Sequence, residues 1–350
     1  MRAGRKRALA TIALAGCATL ADGAPGLDNP PSARAGPFRA LAVGELGQNH
    51  VAPQAVDPGK RRLRDLSVVD VDGDPATLPV DGYLGASATD AGPEDPSIEI
   101  VVAHAEDGRT FSKETTSALV PVHDWEGGRV GAPSAIIGAD GETRLYYEAE
   151  GGIGVAVGDK GALVSVDHPI LTPTAVPWAT GSLRSPGVVL LPDGTYRLYF
   201  EADRGSQTVV GVASSDDGST FSDPSVVLAP SPLEGAIDDV AVGSPSATIG
   251  TSEEGRDILY VYYAALSSDG KRRIGMAARF LADDDEALVK SGEGMYAPSG
   301  GVDPREPSVV RFDSFTFLFA TQKAARDSTD LVVIAAVSPG NIGLPPPDPP

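Results

Sequence analysis

The chain contains a single cysteine, Cys17, in 350 residues, so no disulfide can form within it. Its four histidines, His50, His104, His123 and His168, lack the spacing of a transition-metal site. Positive charge is in deficit: 28 Lys and Arg stand against 48 Asp and Glu, a net charge of −20, which argues against nucleic acid and anionic headgroups as partners. Helical periodicity is absent. So are a Gly-x-Ser-x-Gly elbow, a Walker loop and a dinucleotide fingerprint, which sets aside serine hydrolase, nucleotide-dependent and Rossmann chemistry. Aromatic residues make up only 6% of the chain, and the apolar run Ala8 to Ala15 is too short to span a bilayer.

What is abundant is Gly (41) and Pro (30), the composition of many short strands joined by tight turns. The basic start, Met1 to Arg7, followed by that apolar run, reads as a secretion signal. Leu14-Ala15-Gly16-Cys17 resembles the bacterial lipobox, which implies that Cys17 becomes the acylated first residue of the mature protein. The expectation is therefore a signal peptide at 1–16 and a flexible, Ala-, Pro- and Gly-rich tether at 17–63. A lipid anchor would then make the membrane a partner, with the protein in the bacterial cell envelope at the outer membrane.

Beyond the tether the sequence repeats itself. Ala132-Pro133-Ser134-Ala135-Ile136-Ile137 precedes Arg144-Leu145-Tyr146-Tyr147-Glu148-Ala149, and Ser185-Pro186-Gly187-Val188-Val189 precedes Arg197-Leu198-Tyr199-Phe200-Glu201-Ala202. The pattern returns at Ser244-Pro245 before Leu259-Tyr260-Val261-Tyr262-Tyr263, and at Glu306-Pro307 before Phe315-Thr316-Phe317-Leu318-Phe319. A weaker copy, Asp65-Leu66-Ser67-Val68-Val69, opens the series. Pro133, Pro186, Pro245 and Pro307 are 53, 59 and 62 residues apart, which is the size of a propeller blade. A lone four-stranded sheet cannot bury both faces, so the units must stack. The expected fold is all-β, a five-bladed propeller of four-stranded antiparallel blades over 64–340, with a Pro-rich tail at 341–350; a β-sandwich is the structural alternative. The recurring aromatics fit packing between blades.

The blade Asp193-Gly194-Thr195-Tyr196-Arg197-Leu198-Tyr199-Phe200-Glu201-Ala202, continued by Val209-Val210-Gly211-Val212-Ala213-Ser214-Ser215-Asp216-Asp217-Gly218, resembles the five-bladed propellers of glycoside hydrolase families 32 and 43. The resemblance covers roughly Asp65 to Val337. In those families, catalytic carboxylates stand at the start of the innermost strands and face a central funnel. The resemblance makes Asp65 the candidate base and Glu306 a second candidate carboxylate, with Arg129, Arg184 and Arg305 as candidate substrate-binding residues. It also puts Ser185 and Ser244 where the pKa-tuning and acid carboxylates would be. Arg305 beside Glu306 is expected to lower that carboxyl's pKa, which suits binding better than acid catalysis. Asp238, Asp239 and Asp303 are candidate replacement acids from loops.

Three readings follow: a propeller with degenerate catalytic carboxylates that binds an oligosaccharide or a surface partner, an active inverting glycosidase, and a protein-interaction scaffold. No cofactor or metal is implied. Asp70, Asp72, Asp74 and Asp81 have the spacing of a calcium loop, but Pro75 occupies the position where glycine makes the sharp turn, which argues against Ca²⁺. Ser214-x-Asp216-x-Gly218-x-Thr220-Phe221 matches an Asp-box hairpin, with a poorer copy from Glu106 to Phe111, and both read as structural.

Overall fold

The computed structural model describes residues 35–41, 62–88, 95–112, 116–160, 162–252, 255–282, 287–312 and 315–338. The chain enters through a two-residue strand, β1 (Arg39–Ala40). Blade 1 is β2 (Arg62–Asp70), β3 (Val80–Ser87), β4 (Glu99–Ala105) and β5 (Thr116–Leu119). Blade 2 is β6 (Gly131–Ile137), β7 (Thr143–Ala149), β8 (Gly152–Gly158) and β9 (Val164–Ser165). Blade 3 is β10 (Leu183–Leu190), β11 (Tyr196–Arg204), β12 (Gln207–Ser215) and β13 (Ser222–Leu228). Blade 4 is β14 (Ala241–Thr251), β15 (Asp257–Leu266), β16 (Arg272–Phe280) and β17 (Val289–Lys290). The last three strands, β18 (Arg305–Arg311), β19 (Thr316–Lys323) and β20 (Leu331–Val337), form blade 5, and β1 is its fourth strand. All pairings are antiparallel, so the protein is a five-bladed β-propeller.

The aromatic strands hold the blades together. Successive side chains of a strand point to opposite faces, so the adjacent Tyr146 and Tyr147 enter different cores. Tyr146 packs with Leu198 and Phe200 of blade 3, and Tyr147 with Ile100 and Val102 of blade 1. Tyr260 and Tyr262 face blade 5, while Val261 and Tyr263 face blade 3. All nine Tyr and all nine Phe are buried.

Serine hydroxyls staple three joints near the central channel. Ser308 Oγ of blade 5 accepts the Val68 N–H of blade 1, Ser67 Oγ accepts from Ala135 N–H, and Ser134 Oγ accepts from Val188 N–H. These inner strands are sheet edges, so without such a partner their N–H groups would be buried and unsatisfied. Ser134→Ala is expected to destabilise the protein by about 1–3 kcal/mol, the cost of orphaning a buried donor, measured by chemical denaturation.

One boundary expected from the sequence is corrected. Residues 35–41, assigned above to the flexible tether, belong to the propeller. Arg39 and Ala40 pair with Val337 and Ala336, and Ala35, Phe38 and Leu41 are buried. The Tyr262 hydroxyl donates to Ala35 O, and Phe38 N–H donates to Met295 O, so the segment spans from blade 4 to blade 5. A two-residue strand has no period for a sequence to display, which is why the domain start appears near Arg64 by pattern alone. Arg62 and Leu63, also assigned to the tether, are the first residues of β2; residues 17–34 (Cys17 included) and 42–61, the signal segment and the Pro-rich tail lie outside the described residues.

Candidate active site at the funnel

Each innermost strand begins with the same backbone device. A register shift falls between Arg64 and Ser67, Gly131 and Ser134, Arg184 and Gly187, Gly243 and Ser246, and Arg305 and Ser308. Inside each bulge one non-glycine residue is left-handed: Asp65 (φ 56°), Ala132 (44°), Ser185 (46°), Ser244 (45°) and Glu306 (56°). Such conformations cost roughly 1–3 kcal/mol each and persist only where the surroundings impose them. These five residues, each followed by Pro or, in blade 1, by Leu66, form a ring around the neck of the funnel. The neck is narrow, a cavity of about 30 Å³, which is the space of a water molecule. Ligand pockets run to roughly 300–1,000 Å³, so nothing of that size enters the neck.

The structure brings Asp65 and Glu306 together, because blades 5 and 1 are neighbours. Both line the neck, and Asp65 lies close enough for its charge to raise the proton affinity of Glu306. Burial and the adjacent Asp65 push the Glu306 carboxyl well above the usual carboxylate range, against the opposing pull of Arg305 and Arg64. The sequence-based expectation that Arg305 would dominate is thus reversed: desolvation outweighs one neighbouring cation. Asp65 is held by the Thr321 hydroxyl, which accepts its backbone N–H at 3.1 Å, and by Arg64, whose Nε lies 3.4 Å from Oδ2. Asp65 Oδ1 and Glu306 Oε2 are buried without a hydrogen-bond partner.

A carboxyl whose pKa is higher folded than unfolded binds more protons in the folded state, so it contributes stability that falls as pH rises above the unfolded value. Glu306→Gln is therefore expected to raise the melting temperature at neutral pH, the gain fading as the pH drops below the ordinary glutamate range. A calorimetric pH series on the two proteins checks this.

Two further carboxylates near the ring escaped the sequence analysis, although both stand in the repeat, after Tyr147 and after Phe200. Glu148 Oε2 accepts the N–H of Ser185 in the next blade (3.1 Å), and Glu201 Oε2 accepts that of Ser244 (2.9 Å). Burial raises the Glu148 pKa, with a smaller upward push from Glu201, while the Ser185 N–H, Arg129 and Arg184 lower it. Arg184 pairs with Glu201 (3.0 Å) and forks onto Asp203 (3.0 and 3.1 Å). Of the candidate binding residues, Arg184 and Arg129 thus lie by Glu148, and Arg305 by Glu306. The identity of the residue opposite the bulge was the available signal: Glu in blades 2 and 3, Thr321 in blade 5.

The candidate replacement acids are engaged elsewhere. Asp238 accepts from the Tyr263 hydroxyl (3.0 Å) and Lys290, Asp239 from Gly235 N–H and Ser268, and Asp303 pairs with Lys323 (2.7 Å). Asp70, Asp72 and Asp74 cap backbone N–H groups of their own turn, whereas Asp81 is buried against His104 Nδ1 (2.8 Å) and Lys160. The Asp-box staple is shifted by one residue. Asp217, not Asp216, accepts the Ser219 and Thr220 N–H groups, and Asp107 does the same for Arg109 and Thr110.

The architecture and ring define a five-bladed propeller of the kind found in glycoside hydrolases. A thermostable family-43 glycoside hydrolase superposes with a TM-score of 0.61 at 18% identity, covering 85% of this chain and 99% of its own. An endo-arabinase from Bacteroides thetaiotaomicron gives 0.58 at 17%, covering 83% and 98%. A third, from work on the family-130 mannoside phosphorylases and glycoside hydrolases that target β-1,2-mannosidic linkages in Candida mannan, gives 0.61 at 15%, covering 90% and 96%. At such identities the likeness is one of fold. No protein-family model matches the sequence, and no curated protein does.

Proposed function

We propose that this chain is a glycoside hydrolase-like propeller that has shed hydrolysis and binds a carbohydrate at its funnel, held at the envelope surface by lipid on Cys17. The observation that carries this reading is that Asp65 and Glu306 are neighbours lining one neck of about 30 Å³. Retaining glycosidases hold their carboxyl pair at about 5–5.5 Å and inverting ones at about 6.5–9.5 Å, with the scissile bond between. Two carboxyls lining a neck the size of a water leave no room between them for that bond. The other ring positions, Ala132, Ser185 and Ser244, carry no acid. What remains at the funnel suits binding: arginines, carboxylates and hydroxyls on a rigid ring.

The test is a glycan microarray probed with the purified full chain, with hits quantified by calorimetry. Binding without bond cleavage supports the reading; release of reducing sugar from a bound glycan overturns it.

The anchor has its own support in the sole cysteine standing at the end of a lipobox-like sequence. Two signals are ordinarily needed for stable anchoring, as in a multiply acylated N-terminus. Cys17→Ala is expected to move the protein from the membrane to the soluble fraction on detergent partitioning and to abolish labelling by a fatty-acid probe.

A further inference from the structure

The central channel widens again below the neck. Past the bulges the five inner strands run on through residues 67–70, 134–137, 188–190, 246–249 and 308–311, and they enclose a cavity of about 460 Å³ that the β2–β3 hairpin borders at Asp72, Gly73 and Pro75. The inner strands start at the neck, so this cavity lies at the end of the channel opposite the funnel. From Ser308 to Arg311 the wall is three strand residues deep, about 10 Å. Unlike the neck, the cavity falls within the size of small-molecule sites, about 300–1,000 Å³.

Two features of the lining say what would fit there. Apolar side chains make much of the wall: Ile136, Ile137, Leu190, Ala247 and Ile249 are only half-buried by the protein itself, and Val71 at the rim is 46% exposed. One cation is set into that wall. Arg311, the last residue of β18, lays its guanidinium 5.0 Å from the centroid of the Tyr260 ring, against Gly250, where a Cβ would stand 2.8 Å from the guanidinium carbon. Blade 4 thus seats the group but gives it no acceptor: Arg311 Nη1 is buried without a hydrogen-bond partner, and no ion pair joins Arg311 to any described residue. The two carboxylates of the lining are taken up within their own turn, Asp70 by the Gly73 N–H, Asp72 by the Asp74 N–H and the Thr77 hydroxyl. Asp72 also stands in solvent, where water and salt screen its charge. A buried donor left without an acceptor is costly, and the planar fork of a guanidinium matches a carboxylate.

We infer that this lower cavity is a binding site for a small apolar monocarboxylate, whose carboxylate accepts from Arg311 and whose hydrocarbon body lies along Ile136, Ile137 and Ile249. The site is separate from the funnel, because the neck between them has the volume of a water. It therefore stands or falls apart from the carbohydrate reading. Each methylene taken out of water adds to affinity, so binding strengthens with chain length until the chain fills the depth of the wall.

The experiment titrates the purified full chain by calorimetry at neutral pH with octanoate, octanol, octylammonium and acetate. Octanoate is expected to bind about tenfold or more tightly than octanol or octylammonium, which lack the charge-assisted hydrogen bond, and than acetate, which lacks the body. Arg311→Gln is expected to bring octanoate down to the level of octanol, and Ala247→Phe, which fills the cavity, to remove its binding, both with circular dichroism unchanged. The four-ligand comparison needs no variant, so the inference stays exposed even if a variant fails to fold. Octanol or octylammonium matching octanoate overturns the role of the carboxylate and the inference with it. Acetate matching octanoate marks a bare anion site and overturns it too. Octanoate binding that survives both variants lies elsewhere on the protein, and that result, or no binding of octanoate at all, overturns the inference.

Discussion

Purified protein incubated with arabinan, xylan, fructan and aryl-glycoside panels is expected to release no sugar above the uncatalysed background. A positioned general acid is worth typically ~10²- to 10⁴-fold in rate, and the ring offers none at Ala132, Ser185 or Ser244. Burial and the neighbouring Asp65 hold the Glu306 proton in place. Giving that proton to a glycosidic oxygen leaves a second buried negative charge beside Asp65. Activated aryl glycosides are the sharpest probe, because their leaving groups need little protonation and expose any surviving nucleophile. Turnover on that panel that vanishes in Asp65→Asn or Glu306→Gln would restore the glycosidase alternative.

Phe38→Ala is expected to destabilise the whole propeller by about 3–5 kcal/mol, the usual loss for a buried phenylalanine. Phe38 is 7% exposed and meets the Tyr262 ring edge-on at 5.9 Å. It sits in the core shared by blades 4 and 5, with Ile258, Met276, Met295 and Leu318. Serine and carboxylate staples bridge the joints from blade 5 round to blade 4. The joint between blades 4 and 5 is crossed instead by the 35–41 segment. Against a total stability of about 5–15 kcal/mol, this loss should lower the melting temperature by several degrees or more. A freely moving tether would transmit no such effect, so an unchanged melting curve would contradict the placement of the segment.

The blade count was legible because each unit repeats a proline-marked inner strand and an aromatic second strand, two patterns that burial imposes on every blade alike. Asp65, Ser185, Ser244 and Glu306 were legible for the same reason, since the repeat aligns them. The strap at 35–41 was not, because its pairing partner β20 lies at the other end of the chain and its sequence has no alternation. The adjacency of Asp65 and Glu306 was hidden for a different reason. Their numbers differ by 241, and only the closure of a ring makes the first and last blades adjacent. Charge lists without that closure put Arg305 beside Glu306 and leave out the burial that outweighs it.

The left-handed ring has a bearing on how such a protein can change. Five backbones hold one side chain each toward a common axis, and the hold comes from the bulge and the staples behind it, not from what the side chain is. Alanine, serine, aspartate and glutamate already occupy equivalent places at φ values within 12° of one another. The ring is thus a set of interchangeable sockets, in which chemistry can be lost or regained one residue at a time while every strand keeps its register.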